Sequence, residues 1–341
     1  MDFSLSDDRR MLRDSLSRLL ADHAPFSRRA DTAYTAPFHD PELYGQIAEL
    51  GVLAGFAPEA SGGFGGAGFD VMTIFECLGR SLCTEPLLGP AMALGVLPAN
   101  DPLVASVIDG SVKIAIANWE PGDVSAVGAQ DTKLTGRKSV VYGGNSADWF
   151  LVHTGDDGVF AVAAKDAQIL PFGMIDGGGA CELILDQTFG RLIAINANAW
   201  NRMLQTGLVA LCAEAVGLID ALLEQTVEYL KARKQFGRPI GAFQALQHRV
   251  VDLHIEAEQA RSITMLAANS LHGTDAAMHT AMAKNLIGRV GRLVAEETIQ
   301  LHGGIAMTWE FPVSHYAKRL AMIDHQLGDS DMHLEHVAAQ M

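Results

Sequence analysis

The feature that most constrains the fold is a double change of hydrophobic period along the chain. Residues 1–111 carry helical spacing, 112–195 short alternating or apolar runs, and 196–341 helical spacing again. Such a chain is expected to fold as helices, then a strand-rich domain, then helices. In the first part Ser6 is placed to cap a helix over 6–22, with Asp7 and Asp8 in its first turn and Leu12, Leu16, Leu19 and Leu20 on one face. Residues 41–54 and 68–81 repeat the helical pattern around a glycine-rich loop, and Pro86, Pro90, Pro98 and Pro102 then interrupt the chain. In the second part Ile114, Ile116, Val140, Val141, Phe150, Val152, Phe160 and Val162 fall in strand-like runs. Residues 149–154 and 159–163 flank Gly155-Asp156-Asp157-Gly158, which signals a hairpin. In the third part Ile219, Leu222, Leu223, Val227 and Leu230 form a stripe that stops at Gly237 and Pro239. Residues 243–272 and 275–302 give two more long helices, and a last one begins near Pro312.

Composition narrows the function classes. Of 341 residues, 49% are hydrophobic and 19% charged, as in soluble globular proteins. A net charge of -15 leaves no basic surplus to displace counterions, so a nucleic-acid partner is excluded. Cys77, Cys83, Cys181 and Cys212 show no Cys-x-x-Cys spacing, so neither a zinc site nor a disulfide framework is expected. No run of eighteen apolar residues occurs and the amino terminus is acidic, which predicts a cytoplasmic protein with no membrane partner. Glu214 and Asp220 interrupt the most apolar helix, placing it inside a bundle.

Two segments carry the chemistry. Arg233-Lys234-Gln235-Phe236-Gly237-Arg238-Pro239 follows a long helix and leaves cations beside its last-turn carbonyls, where a phosphate could also use them. Gln300-Leu301-His302-Gly303-Gly304 ends another helix with two residues lacking Cβ, so backbone amides are open to a bulky ligand. By contrast Gly63-Phe64-Gly65-Gly66-Ala67-Gly68 fits G-x-G-x-x-G but has no strand before it, and reads as a loop between helices. His325, His333, Glu335 and His336 lie close in sequence, yet no third ligand stands near them and a solvated terminal helix is expected.

Both segments resemble the carboxy-terminal helical domain of the acyl-CoA dehydrogenase family. So do the opening Phe3-Ser4-Leu5-Ser6-Asp7-Asp8-Arg9-Arg10, Glu49-Leu50-Gly51, Pro58-Glu59-Ala60-Ser61-Gly62-Gly63 and Glu76-Cys77-Leu78-Gly79-Arg80, in the family's order. The resemblance implies an α-helical N-terminal domain, a central β domain and a C-terminal four-helix bundle that makes the dimer contacts. It implies FAD as cofactor. Arg233, Gln235 and Phe236 would reach the pyrophosphate and adenosine of a flavin held mainly by a neighbouring subunit. Gln300, Gly303, Gly304 and Gln244 would touch the same ADP half, and Arg202 would lie near the pantetheine of an acyl-CoA.

The rest of the family's site is altered. Where relatives hold the isoalloxazine ring with a Thr-Glu-Pro loop and a Trp-x-Thr strand, this chain reads Asn118-Trp119-Glu120-Pro121-Gly122-Asp123 and Val141-Tyr142-Gly143-Gly144-Asn145. Desaturation also needs a carboxylate to take the Cα proton while Cβ gives a hydride to flavin. The commoner base position precedes Gly-Thr-Ser in the family, and here it is Leu327 before Gly328-Asp329-Ser330; the less common one is Asn201 before Arg202. Asp329 and Asp324 are the nearest acids. A subunit of a heteromeric acyl-CoA dehydrogenase, an α2β2 heterotetramer whose second chain supplies the base, is therefore expected, with electron-transfer flavoprotein as acceptor and a bulky acyl group such as a steroid side chain. A homodimer or homotetramer acting as a self-sufficient flavoenzyme through an aspartate, and a flavin-free scaffold, are the alternatives.

Overall fold

A computed structural model describes residues 5–121, 127–155, 158–195 and 197–340. In chain order the helices before the strands are α1 (Asp7–His23), α2 (Arg29–Thr32), α3 (Pro41–Glu49), α4 (Gly68–Arg80), α5 (Leu88–Leu94) and α6 (Pro102–Ile108). The strands are β1 (Ile114–Ala117), β2 (Gly128–Gln130), β3 (Lys133–Tyr142), β4 (Trp149–His153), β5 (Gly158–Ala163), β6 (Gln168–Gly173), β7 (Gly179–Phe189) and β8 (Arg191–Ile195). Then follow α7 (Ala197–Ala232), the short pair β9 (Lys234–Gln235) and β10 (Arg238–Pro239), α8 (Gln244–Ser270), α9 (Ala276–His302), α10 (Val313–His325) and α11 (Ser330–Gln340). Phe3 and Ser4 of the opening motif, Gly122-Asp123 of the expected flavin loop and Asp156-Asp157 of the hairpin lie outside the described residues.

The chain divides into two compact units, one gathering Asp14–Val71 and Thr84–Gly207, the other Met72–Cys83, the chain from Leu208 onward and the chain up to Arg13. The first unit holds both four-stranded sheets, ordered β1-β4-β5-β8 and β2-β3-β7-β6. All pairings within them are antiparallel except β1 with β4. Their inward side chains, among them Leu134, Phe150, Val152, Val162, Cys181 and Leu183, make one core. Burial raises the Cys181 thiol to about 12, so it serves there as a small hydrophobe. The hairpin expected around residue 155 is present, with the Thr154 amide donating to the Gly158 carbonyl at 2.9 Å. In the glycine-rich loop, a Cβ on Gly63 or Gly65 would overlap the Ala57 or Gly55 carbonyl, which explains those glycines by close packing rather than by a nucleotide. The helix expected over 41–54 stops at Glu49, because Gly51 turns the chain at φ 84° and a separate short turn, Leu53–Phe56, follows.

The second unit is built on α7. Its composition would suit a membrane span, yet 94% of the apolar window is buried by protein. The helix α4 crosses it at backbone contact: a Cβ on Gly79 would overlap the Glu214 carbonyl, and one on Gly217 the Glu76 carbonyl. Polar groups that interrupt the apolar run are all used. Glu214 takes two bonds from Arg319 of α10, at 2.5 and 2.6 Å, with both side chains buried. Asp220 pairs with Arg261 of α8 at 2.5 Å and with Arg80 at 3.2 Å, and Arg261 also reaches Glu76 at 2.7 Å. The last helical stretch is two helices, α10 and α11, separated at Gln326–Asp329 by Leu327 and Gly328 with φ of 57° and 97°.

Replacing Gly217 by Ala is expected to push α4 off α7 and cost about 1–3 kcal/mol. A urea midpoint unchanged from the wild type would contradict this crossing.

Candidate functional site

Helix α7 ends at Ala232, and the next residues form a hairpin rather than a simple turn. Gln235 pairs with Arg238 and Lys234 with Pro239, and the Ile240 amide donates to the Arg233 carbonyl at 2.8 Å. The two central residues, Phe236 and Gly237, have φ of 52° and 77°, the signature of a type I′ turn. Phe236 is therefore thrust outward at 90% exposure, its ring edge-on to that of Phe243 with 6.1 Å between ring centres. The Arg238 guanidinium lies 4.2 Å from the Phe243 ring centre. Arg233, Lys234, Gln235 and Gln244 are exposed, and no ion pair among the described residues engages Arg233 or Lys234.

Helix α9 ends beside this hairpin's root. Tyr229, one turn before Arg233, donates its hydroxyl to the His302 carbonyl at 3.2 Å, and its ring stacks on the His302 imidazole at 4.5 Å. The buried imidazole donates Nδ1–H to the Thr298 carbonyl at 2.8 Å, and burial holds its pKa below the ordinary value. Gly303 adopts φ 70°, ψ -150°, a region closed to other residues. Nothing lies within 4 Å of the Cβ position at Gly303 or Gly304, and Gln300 is exposed. Open glycine backbone, unpaired cations and an exposed aromatic ring suit the phosphates and base of a dinucleotide.

The segments expected to meet the flavin ring belong to the other unit. Glu120 is committed within the chain: its carboxylate pairs with Lys138 and accepts from the Val127 amide at 3.3 Å. Lys138 has 0% exposure, also donates to the Asn118 carbonyl at 3.2 Å, and has its pKa lowered by burial. Sequence reading missed this lysine, although its even spacing from Leu134 on β3 puts it on the inward face. Two residues on, Val140 sits at φ 49° within a register shift between Lys138 and Val141, an unusual place for a β-branched residue.

The base positions differ in setting. Asn201 and Arg202 are exposed near the start of α7, where the Arg202 carbonyl accepts from the Thr206 hydroxyl at 3.1 Å. Leu327 sits in the α10–α11 connection. Its neighbour Asp329 is exposed and accepts from the Met332 amide at 2.8 Å, capping α11, while Asp324 accepts from the Ser330 amide at 3.2 Å. Two basic groups hold this connection from inside: Lys284, which the sequence did not single out, and His333, which it read only as part of a solvated terminal helix. Lys284 of α9, with 0% exposure, donates to the Asp324 carbonyl at 2.8 Å and the Gly328 carbonyl at 2.5 Å. His333 of α11 donates Nε2–H to the Leu327 carbonyl at 3.0 Å. The terminal helix is thus not simply solvated as expected, because His333 is buried on the face that meets α9 and the loop. Among the described residues no group of acids, histidines and cysteines could hold a metal.

Comparison with known proteins decides the family. Residues 6–99 match the model of the acyl-CoA dehydrogenase N-terminal domain, and residues 198–341 that of the C-terminal domain. The acyl-CoA dehydrogenase IpdE2 of Mycobacterium tuberculosis is 33% identical over 319 residues, covering 92% of this chain and 91% of that one. The chain belongs to the acyl-CoA dehydrogenase family. A second relative, the acyl-CoA dehydrogenase IpdE2 of Mycolicibacterium smegmatis, is 28% identical across 99% of this chain and 100% of the relative. Among solved structures, Tcur3481-Tcur3483, described as a steroid acyl-CoA dehydrogenase, superposes with a TM-score of 0.89 at 27% identity, covering 98% of both chains. The ChsE4-ChsE5 complex from Mycobacterium tuberculosis reaches a TM-score of 0.92 at 24% identity, over 100% of this chain and 98% of that one, which shows the shared fold. The acyl-CoA dehydrogenase fold expected from the motifs is therefore present.

Burial, and then the Lys284 charge, hold the His333 imidazole at about 4, below its unfolded value of roughly 6.5. Its contribution to stability is complete above the unfolded value and is lost as pH falls toward 4. The wild type should lose about 2–3 kcal/mol more between pH 7 and pH 4 than a His333→Gln variant, read from urea midpoints. Parallel pH profiles of the two proteins would contradict the burial of a neutral imidazole.

Proposed function

We propose that the chain is a subunit of an FAD-dependent acyl-CoA dehydrogenase that desaturates a bulky acyl-CoA thioester, and that a second chain of the family completes the assembly and supplies the base. The observation that carries this reading is the contrast between two ends of one unit. The hairpin and glycine turn that suit the ADP half of FAD are intact and face outward, whereas position 327 carries leucine. Bound FAD would supply a two-electron hydride acceptor.

The chain's own residues then have separable roles. Arg233 would bind the pyrophosphate by charge-assisted bonds, with Gln235, Gln244 and Gln300 adding neutral ones. Phe236 would stack against the adenosine, and the Gly303 and Gly304 backbone would admit the ligand closely. Arg202 would lie near the pantetheine of the acyl-CoA. Lys138, by fixing Glu120 and the Asn118 carbonyl, orients the loop entrance on the other unit. Asp324 and Asp329 each spend an oxygen on a backbone amide, which does not favour either as base. The three-domain division at residues 111 and 195, a cytoplasmic location and electron-transfer flavoprotein as acceptor belong to the same reading.

A two-chain assembly is supported by the exposed apolar face of α8, where Val251 and Ile255 are 56% and 55% exposed beside His254 and Leu286 of α9. It is supported also by the paired name of the steroid dehydrogenase that this chain resembles.

The test is to purify the chain alone and with the product of its genomic neighbour, and to measure bound flavin and acyl-CoA-dependent flavin reduction. Flavin and turnover are expected only from the mixture; stoichiometric FAD with turnover from the homomer would sink the heteromer. No flavin band in either preparation would favour the scaffold instead. Within the mixture, Arg233→Ala is expected to weaken FAD retention by about 10–100-fold, as loss of a charge-assisted bond implies. Retention equal to the wild type, read by equilibrium dialysis, would remove Arg233 from the cofactor site.

A further inference from the structure

The connection between α10 and α11 is held in a way a mere link between helices does not require. Lys284, Asn285 and Gly288 lie within one turn of α9, so they share the face that meets this loop. Lys284 gives two of its donors to the Asp324 and Gly328 carbonyls, and Asn285 donates to the Ser330 carbonyl at 2.8 Å. Gly288 leaves the notch into which the Asp324 carboxylate fits, since a Cβ there would overlap it. His333 of α11 donates to the Leu327 carbonyl. An ammonium removed wholly from water is costly, and here its hydrogen bonds go to neutral carbonyls instead of a carboxylate. A leucine at positive φ adds a further cost that glycine would avoid.

All these clamping bonds end on backbone atoms of the loop or on the capping Asp324. None involves a side-chain atom of position 327, so this hydrogen-bonding pattern does not require leucine there. We infer that Lys284 and His333 are positioning residues that fix the backbone around position 327 as a seat for a proton-abstracting carboxylate, which a single leucine leaves uncharged. This rests on the reading of Leu327 as the family's base position. It adds that the base was lost by exchange of one side chain, with the machinery that aims it retained.

Two measurements test it. In the full-length chain, Lys284→Met and, separately, His333→Leu should speed amide exchange over residues 326–330 by about tenfold or more, with α7 amides unchanged. His333→Gln, which can still donate to the Leu327 carbonyl, should restore protection. Unchanged exchange over the loop in both Lys284→Met and His333→Leu would overturn the inference, and His333→Leu keeps the test open if the lysine variant does not fold. The second measurement uses Leu327→Glu in any preparation of the isolated chain that carries flavin, mixed anaerobically with an acyl-CoA. The Cα proton should pass to the new carboxylate and a hydride from Cβ to the flavin as the double bond forms. Flavin bleaching is expected about a hundredfold or more faster than in the wild type, with the pH profile of one carboxylate. Adding Lys284→Met should remove that gain at unchanged flavin content. Flavin and acyl-CoA bound without faster bleaching would overturn the seat. An isolated chain that binds no flavin is what the proposed function expects, and the exchange measurement then decides this inference by itself.

Discussion

The second unit depends on one contact, the crossing of α4 over α7 at bare backbone. Glycines at 79 and 217 let the two helices approach until each meets a carbonyl of the other, and the gain is dispersion over the whole crossing. That closeness brings Glu76 and Arg80 from α4 to the same side as Asp220 and Glu224 of α7, where Arg261 of α8 joins them. It also fixes the direction of α7, and hence where its last turn delivers Tyr229 and the hairpin after it. A cofactor site at a helix end is only as well placed as the helix that carries it.

Much of the architecture was legible because period and punctuation speak to local structure. The stripe from Ile219 to Leu230 gave α7, and Gly303 past His302 marked the end of α9 to the residue. The sequence was less informative where backbone conformation departs from its usual residue types. A type I′ turn normally announces itself with Asn-Gly, and Phe236-Gly237 hid it. Gly51 ended α3 earlier than its apolar pattern implied. Lys138 and Lys284 escaped, and His333 was placed on a solvated helix, because buried basic residues are rare and only a three-dimensional neighbourhood reveals the carbonyls and carboxylate that hold them.

Two groups of candidate residues in the second unit differ in their setting. At the ends of α7 and α9, Arg233, Lys234, Gln235 and Gln300 are turned to the outside. Around Leu327 the polar groups are turned inward onto the chain's own backbone. Outward donors await something that is not part of this unit; inward donors preserve a shape. On the proposed reading, a chain with the first group and an uncharged residue at position 327 would share its chemistry with a second chain.

The tip of the hairpin has a further consequence. A phenylalanine held almost entirely in water by its own turn is a standing cost to the isolated chain, roughly 2 kcal/mol that covering the ring would recover. Whatever covers it gains that energy together with its own contacts, so ligand capture and subunit association draw on a common equilibrium. Apparent stability would then rise with both flavin and protein concentration, and a cell short of either would hold this chain as a reservoir of unassembled, more readily degraded subunits.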